Sequence, residues 1–70
     1  MKIIINMPEC AKYWELNLEG MEIHSAMLLS ARTPYPKVDK YKVISWSYGK
    51  LDLISAAKIA LESLKEANWD

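Results

Sequence analysis

The chain has 70 residues, 51% hydrophobic and 26% charged, and its nine basic and nine acidic side chains cancel to a formal net charge of zero. That composition excludes a disordered tail, a collagen-like repeat and a polybasic nucleic-acid arm. The length allows one small globular domain over 1–70, in which apolar burial roughly offsets an ordering cost of about 1.5 kcal/mol per residue. Such a chain needs a well-packed core or a partner subunit. One cysteine makes no intrachain disulfide, and two glycines with three prolines leave little loop for an active-site cradle.

The first apolar run, Ile3-Ile4-Ile5, ends at Asn6-Met7-Pro8. It is too short for a signal-peptide core or for the roughly 20 residues of a membrane span, and it reads as a first strand closed by a proline that cannot donate to a ladder. With an unpaired Cys10 and four methionines, the chain reads as a soluble cytoplasmic protein. A short turn is expected over 8–11.

Residues 13–19 alternate cleanly, with Trp14, Leu16 and Leu18 on one side and Tyr13, Glu15, Asn17 and Glu19 on the other, the period of a half-buried strand. Glu19-Gly20 then reads as a hairpin turn. Over 22–31 the alternation is imperfect: Met21, Ile23, Ser25, Met27 and Leu29 fall on one side, Glu22, His24, Ala26, Leu28 and Ser30 on the other. A third strand is expected, with a helix as the competing reading because Ala, Met and Leu favour helices. Thr33-Pro34-Tyr35-Pro36 continues neither a helix nor a central strand, so 32–40 is a loop.

Residues 41–48 resume β patterning and set Lys42, Ile44, Trp46 and Tyr48 on one face, expected to be the buried one, against Tyr41, Val43, Ser45 and Ser47. Gly49 breaks the strand. From 50 or 51 to about 68 the sequence turns helical, with Leu53, Ile54, Ala57, Ala60, Leu61 and Leu64 in one arc of roughly 120°, a core-facing stripe, and with Asp52 in the first turn. The predicted fold is α+β: two layers, an about four-stranded, mainly antiparallel sheet packed against one C-terminal α-helix, in the order β-β-β-β-α, through three hairpin-like connections and a final crossover.

Groups able to do chemistry are sparse. His24 and Cys10 could form a thiol and base pair, but an activated cysteine wants an electropositive setting and Cys10 sits beside Glu9. A structural zinc site wants four Cys or His ligands and this chain has two such residues, so Glu22 and His24, on one strand face, could offer only two ligands to a metal bridged between subunits. Gly20 and Gly49 stand alone, outside any phosphate-cradling motif. Glu15 and Glu19, four strand residues apart, would lie roughly 13 Å from one another, too far for paired-carboxylate hydrolysis. No catalytic residue, metal or cofactor is assigned, and the chain is expected not to be an enzyme.

Charge is unevenly placed. Residues 1–31 carry −2, residues 32–50 carry +4 through Arg32, Lys37, Lys40, Lys42 and Lys50 against Asp39, and residues 51–70 return to −2. The basic span also holds Tyr35, Tyr41, Trp46 and Tyr48, four of the seven aromatic rings. Basic residues interleaved with rings can hold single-stranded nucleic acid, can meet an acidic protein, or can simply keep an edge strand soluble. Arg32, Tyr35, Lys37, Lys40 and Lys42 are the candidate partner-binding set. Tyr35, held between two prolines, is either an exposed anchor or a ring packed back on the sheet. On the helix, Ala56, Ile59, Ser63 and Ala67 cluster opposite the core stripe, a possible homodimer contact where another helix could approach closely.

The run Ser55-Ala56-Ala57-Lys58-Ile59-Ala60-Leu61-Glu62-Ser63-Leu64 after a hairpin resembles the closing segment of a double-stranded-RNA-binding domain, over less than half the chain. That family opens with a helix and starts its last helix with a phosphate-gripping Lys-Lys-x-Ala-Lys, where this chain has Lys50-Leu51-Asp52-Leu53-Ile54. In size and in its lack of catalytic groups the chain also resembles the compact inhibitors that phages encode against host defence, such as anti-CRISPR proteins. The expected function is a small non-enzymatic module that binds a protein by occupying its surface, with nucleic-acid binding through 32–50 as the alternative and no membrane partner.

Overall fold

The computed structural model describes residues 1–37 and 40–66. The elements follow the expected order: β1 (Lys2–Met7), a 3-10 turn at Pro8–Cys10, β2 (Lys12–Glu19), β3 (Glu22–Ser30), β4 (Tyr41–Ser45) and α1 (Leu53–Lys65). The sheet order is β3-β2-β1-β4, and α1 covers one face, so the fold is the two-layer α+β arrangement read from the sequence. Residues 22–30 are strand, not helix.

The sheet is mixed. β1–β2 and β2–β3 pair antiparallel, but β4 lies parallel to β1, so the chain crosses from one sheet edge to the other between β3 and β4 instead of making a third hairpin. Two causes combine. Pro34 and Pro36 bar a tight turn, and β1 buries Ile3, Ile4 and Ile5 completely, which requires a strand on each side and cover on both faces.

Register sorts the side chains. Ile3 lies opposite Leu16 and Ile5 opposite Trp14, and with Met7 and Leu18 they form the core beneath α1. On β3 the register shifts where Asn17 faces Ser25 and Leu18 faces Ile23, leaving His24 as the extra residue of a β-bulge. Beyond the bulge the parity is reversed. Ile23, Ala26 and Leu28 therefore all pack toward the core, which simple alternation separates. On the other face Tyr13 is buried, its hydroxyl donates to the carbonyls of Thr33 (3.2 Å) and Pro34 (3.1 Å), and the crossover loop lies against it.

The helix packs Ala60, Leu61 and Leu64 of the expected stripe against the core, but its buried face is rotated away from Leu53 and Ile54. Ala56, Ala60 and Ser63 are buried against the sheet, while Leu53 is 49% and Ile54 69% exposed. The strands already supply large side chains here, and a close-packed layer has room only for small ones opposite them. Ala56, Ser63 and half-buried Ile59 are thus part of the packed layer, which corrects their expected role as a free contact face; Ala67 lies outside the described residues, and the helix ends at Lys65, where Glu66 turns extended, and not near 68. Asp52 is the N-cap and not a first-turn residue, its carboxylate accepting the Ser55 N–H at 2.7 Å. That hydrogen bond holds the Asp52 carboxyl below its ordinary pKa, so the stabilisation is present above the carboxylate range and is lost as pH falls through it.

Candidate interaction surface

Strand placement disperses the basic segment. Lys42 points to the helix face and pairs with Glu66 at 3.3 Å. Lys40 and Lys50 are exposed and flank opposite ends of β4, since Tyr41 lies beside Lys2 at one end of β1 and Ser45 beside Asn6 at the other. Arg32 follows β3 at the far edge of the sheet, and Lys37 is exposed in the crossover loop. Lys42 is thus set on the helix face, apart from the two ends of the sheet that Arg32 and Lys40 follow or precede.

Its aromatic rings are largely engaged in packing. Tyr35 is half-buried, with its ring edge-to-face on Tyr13 (5.1 Å between centroids) and on Tyr41 (5.7 Å), so of the two roles open to it the structure supports the ring packed back on the sheet. Trp46 packs against the core as expected. Tyr48 is 83% exposed, with its ring edge-to-face on Trp46 at 5.1 Å, because β4 ends at Ser45 and its alternation ends with it.

Cys10 and His24 lie toward opposite ends of the β2–β3 hairpin. Lys12 faces Ser30 near the thiol and Leu18 faces Ile23 near the imidazole, six strand positions or about 20 Å apart, so no dyad is assembled. Among the described residues no group of three or more His, Cys, Asp or Glu is placed to hold a metal.

Among the described residues, a surface groove lies on each side of α1. The one toward β4, about 460 Å³, is rimmed by Lys42, Lys58, Glu62 and Glu66 and crossed by the Lys42–Glu66 ion pair. The one toward β3, about 480 Å³, is lined by Ile23, Ala26, Leu53, Ile54, Ala57 and Leu61, with Lys58 on its rim. Exposed Leu53 and Ile54 form its upper wall at the start of the helix. An apolar concavity with aliphatic walls suits apolar side chains of a partner and has no phosphate-binding character.

Hydrophobic periodicity alone assigns Leu53 and Ile54 to the core and so misses this groove. The usable signal is side-chain volume: the small residues Ala56, Ala60 and Ser63 mark the face that approaches the sheet most closely, which displaces the bulky aliphatics to the flank. No helix among the described residues is long and apolar enough to cross a membrane. Comparison with known proteins gives no matching family model, no matching curated protein and no matching solved structure.

Proposed function

We propose that this chain is a small, non-enzymatic protein-binding module of the cytoplasm that acts by occupying a partner's surface, an inhibitor by occlusion, and that the groove between α1 and β3 is its contact surface. The observation that carries this reading is the exposure of Leu53 and Ile54 beside Ile23, Ala26, Ala57 and Leu61. Large aliphatic groups left in water around a concavity gain most by burial against another protein. The dispersed cations of 32–50 favour this reading over nucleic acid.

Affinity capture from the native cell extract tests it with two variants. Ile54→Asp should weaken retention of the partner about tenfold or more while leaving the unfolding midpoint nearly unchanged, since Ile54 is mostly exposed. Lys37→Glu combined with Lys40→Glu should leave retention intact. Retention of nucleic acid with a steep salt dependence, lost with the lysine reversals and kept with Ile54→Asp, would overturn the proposal.

A further inference from the structure

We infer that the free edge of β3 is a self-pairing edge, which joins two copies of this chain antiparallel across a two-fold axis into one continuous eight-stranded sheet. The backbone shows which groups are free. Leu18 and Met1 exchange N–H···O bonds at 2.8 and 3.1 Å, so Leu18, Leu16 and Trp14 direct their backbone groups toward β1. Tyr13, Glu15 and Asn17 therefore direct theirs toward β3, onto Leu29, Met27 and Ser25, and the Ala31 N–H on the Ala11 carbonyl (2.9 Å) continues the same phase. Ala26 and Leu28 are left with N–H and C=O pointing outward, and no described strand pairs beyond β3.

The two sheet edges differ in how they are protected. β4 is five residues long and carries Lys42, with Lys40 just before it, the usual defences of an edge. β3 is nine residues long; its bulge at His24 lies near its N-terminal end, and from Ser25 to Ser30 the strand is regular and carries no charge at all. In its middle Met27 is 49% exposed on the face away from α1.

Charge chooses the occupant. At the N-terminal end of β3 the exposed Glu22 lies directly opposite the exposed Glu19, a like-charge pair that destabilises a hairpin end. At the other end stand the exposed Arg32 and, opposite Ser30, the exposed Lys12. The edge is thus acidic at one end, basic at the other and uncharged between. Only an antiparallel copy of the same edge matches it at both ends. A two-fold centred on Met27 sets Ala26 against Leu28 of the second copy, which satisfies the outward backbone groups, and brings the Arg32 end of each chain to the Glu22 end of the other. The operator keeps both helices on one side of the sheet, and the grooves beside them then face each other.

Sedimentation equilibrium at high micromolar concentration, with hydrogen exchange of the Ala26 and Leu28 amides over a dilution series, tests the inference. Expected are twice the chain mass and protection of those two amides that is lost on dilution. Met27→Lys, which lies on the face away from the α1 groove, should give a monomer whose unfolding midpoint is independent of concentration and equals that of the native chain diluted to its monomer. Glu22→Arg and Arg32→Glu should each weaken self-association about tenfold, and an equal mixture of the two variants should restore it, because both ends of the mixed pair are again complementary. A monomeric mass throughout, or a dimer indifferent to Met27→Lys and to the charge exchange, would overturn the inference. Partner capture through Ile54 is read separately, in the monomeric Met27→Lys background.

Discussion

Trp14→Ala is expected to lower the free energy of unfolding by about 3–5 kcal/mol, the range for a large aromatic removed from a core. Trp14 sits between Ile5 on β1 and Leu28 on β3 beneath the helix, and it is buried. Its Nε1–H donates to the Leu51 carbonyl at 3.0 Å, while the Leu51 N–H reaches the Met7 sulfur at 3.2 Å, so the indole ties the segment entering α1 to the sheet. Truncation leaves both a cavity and a buried carbonyl without its donor. A domain of this size has a total stability of about 3.5–10 kcal/mol, so the variant should be partly or wholly unfolded at room temperature. Trp14→Phe, which fills most of the cavity and loses the donor, should fall between the two. Urea titration measures all three, and a loss under about 1 kcal/mol for the alanine variant would place the indole outside the core.

Tyr13→Ala should be nearly as costly, about 3–5 kcal/mol, for a different reason. Its ring supports Tyr35 at 5.1 Å and its hydroxyl holds the carbonyls of Thr33 and Pro34, so it fixes the crossover loop to the far face of the sheet. Tyr13→Phe keeps the ring and should cost about 1 kcal/mol, the typical net worth of a hydrogen bond. Burial, with lesser contributions from Glu15 and Tyr35, raises the Tyr13 pKa above 10.0. The folded protein therefore holds this proton more tightly than the unfolded chain does. The stabilisation is complete below the unfolded tyrosine pKa and is lost as pH rises from there through the folded value. Urea midpoints between about pH 8 and 11 should fall more steeply for the native chain than for Tyr13→Phe; parallel slopes would contradict the assignment.

Much of the fold was legible because local chemistry decides it. The alternation of Trp14, Leu16 and Leu18, the break at Gly20 where φ is +60°, and the proline-bounded loop each act over a few residues. Three features depend on distant parts of the chain. The parallel place of β4 follows from β1 being buried on both faces, for which the unbroken Ile3-Ile4-Ile5 run is the trace in the sequence. The bulge at His24 disrupts a period of two, and imperfect alternation over 22–31 was its only sign. The phase of α1 is set by the volumes of Trp14, Ile5 and Met7 below it, which hydrophobicity summed around a helix does not register.

The candidate site was less legible than the fold for that last reason. Once Leu53 and Ile54 are counted as core, the visible surface is the basic loop, and Arg32, Lys37 and Lys40 draw attention by charge alone. The two prolines around Tyr35 leave its ring free to point outward or back on the sheet, and its contacts with Tyr13 and Tyr41 support the packing role. Tyr35→Ala is accordingly expected to lower the urea midpoint, since it removes both ring contacts.

The most direct measurement of the central claim is an amide and methyl chemical-shift map of the labelled Met27→Lys chain titrated with the protein retained in the capture experiment. The account predicts the largest changes at Ile23, Ala26, Leu53, Ile54, Ala57 and Leu61, the walls of the groove between α1 and β3, with small changes at Lys37 and Lys40. Changes concentrated on Arg32, Lys37 and Lys40, with the groove methyls unmoved, would contradict it.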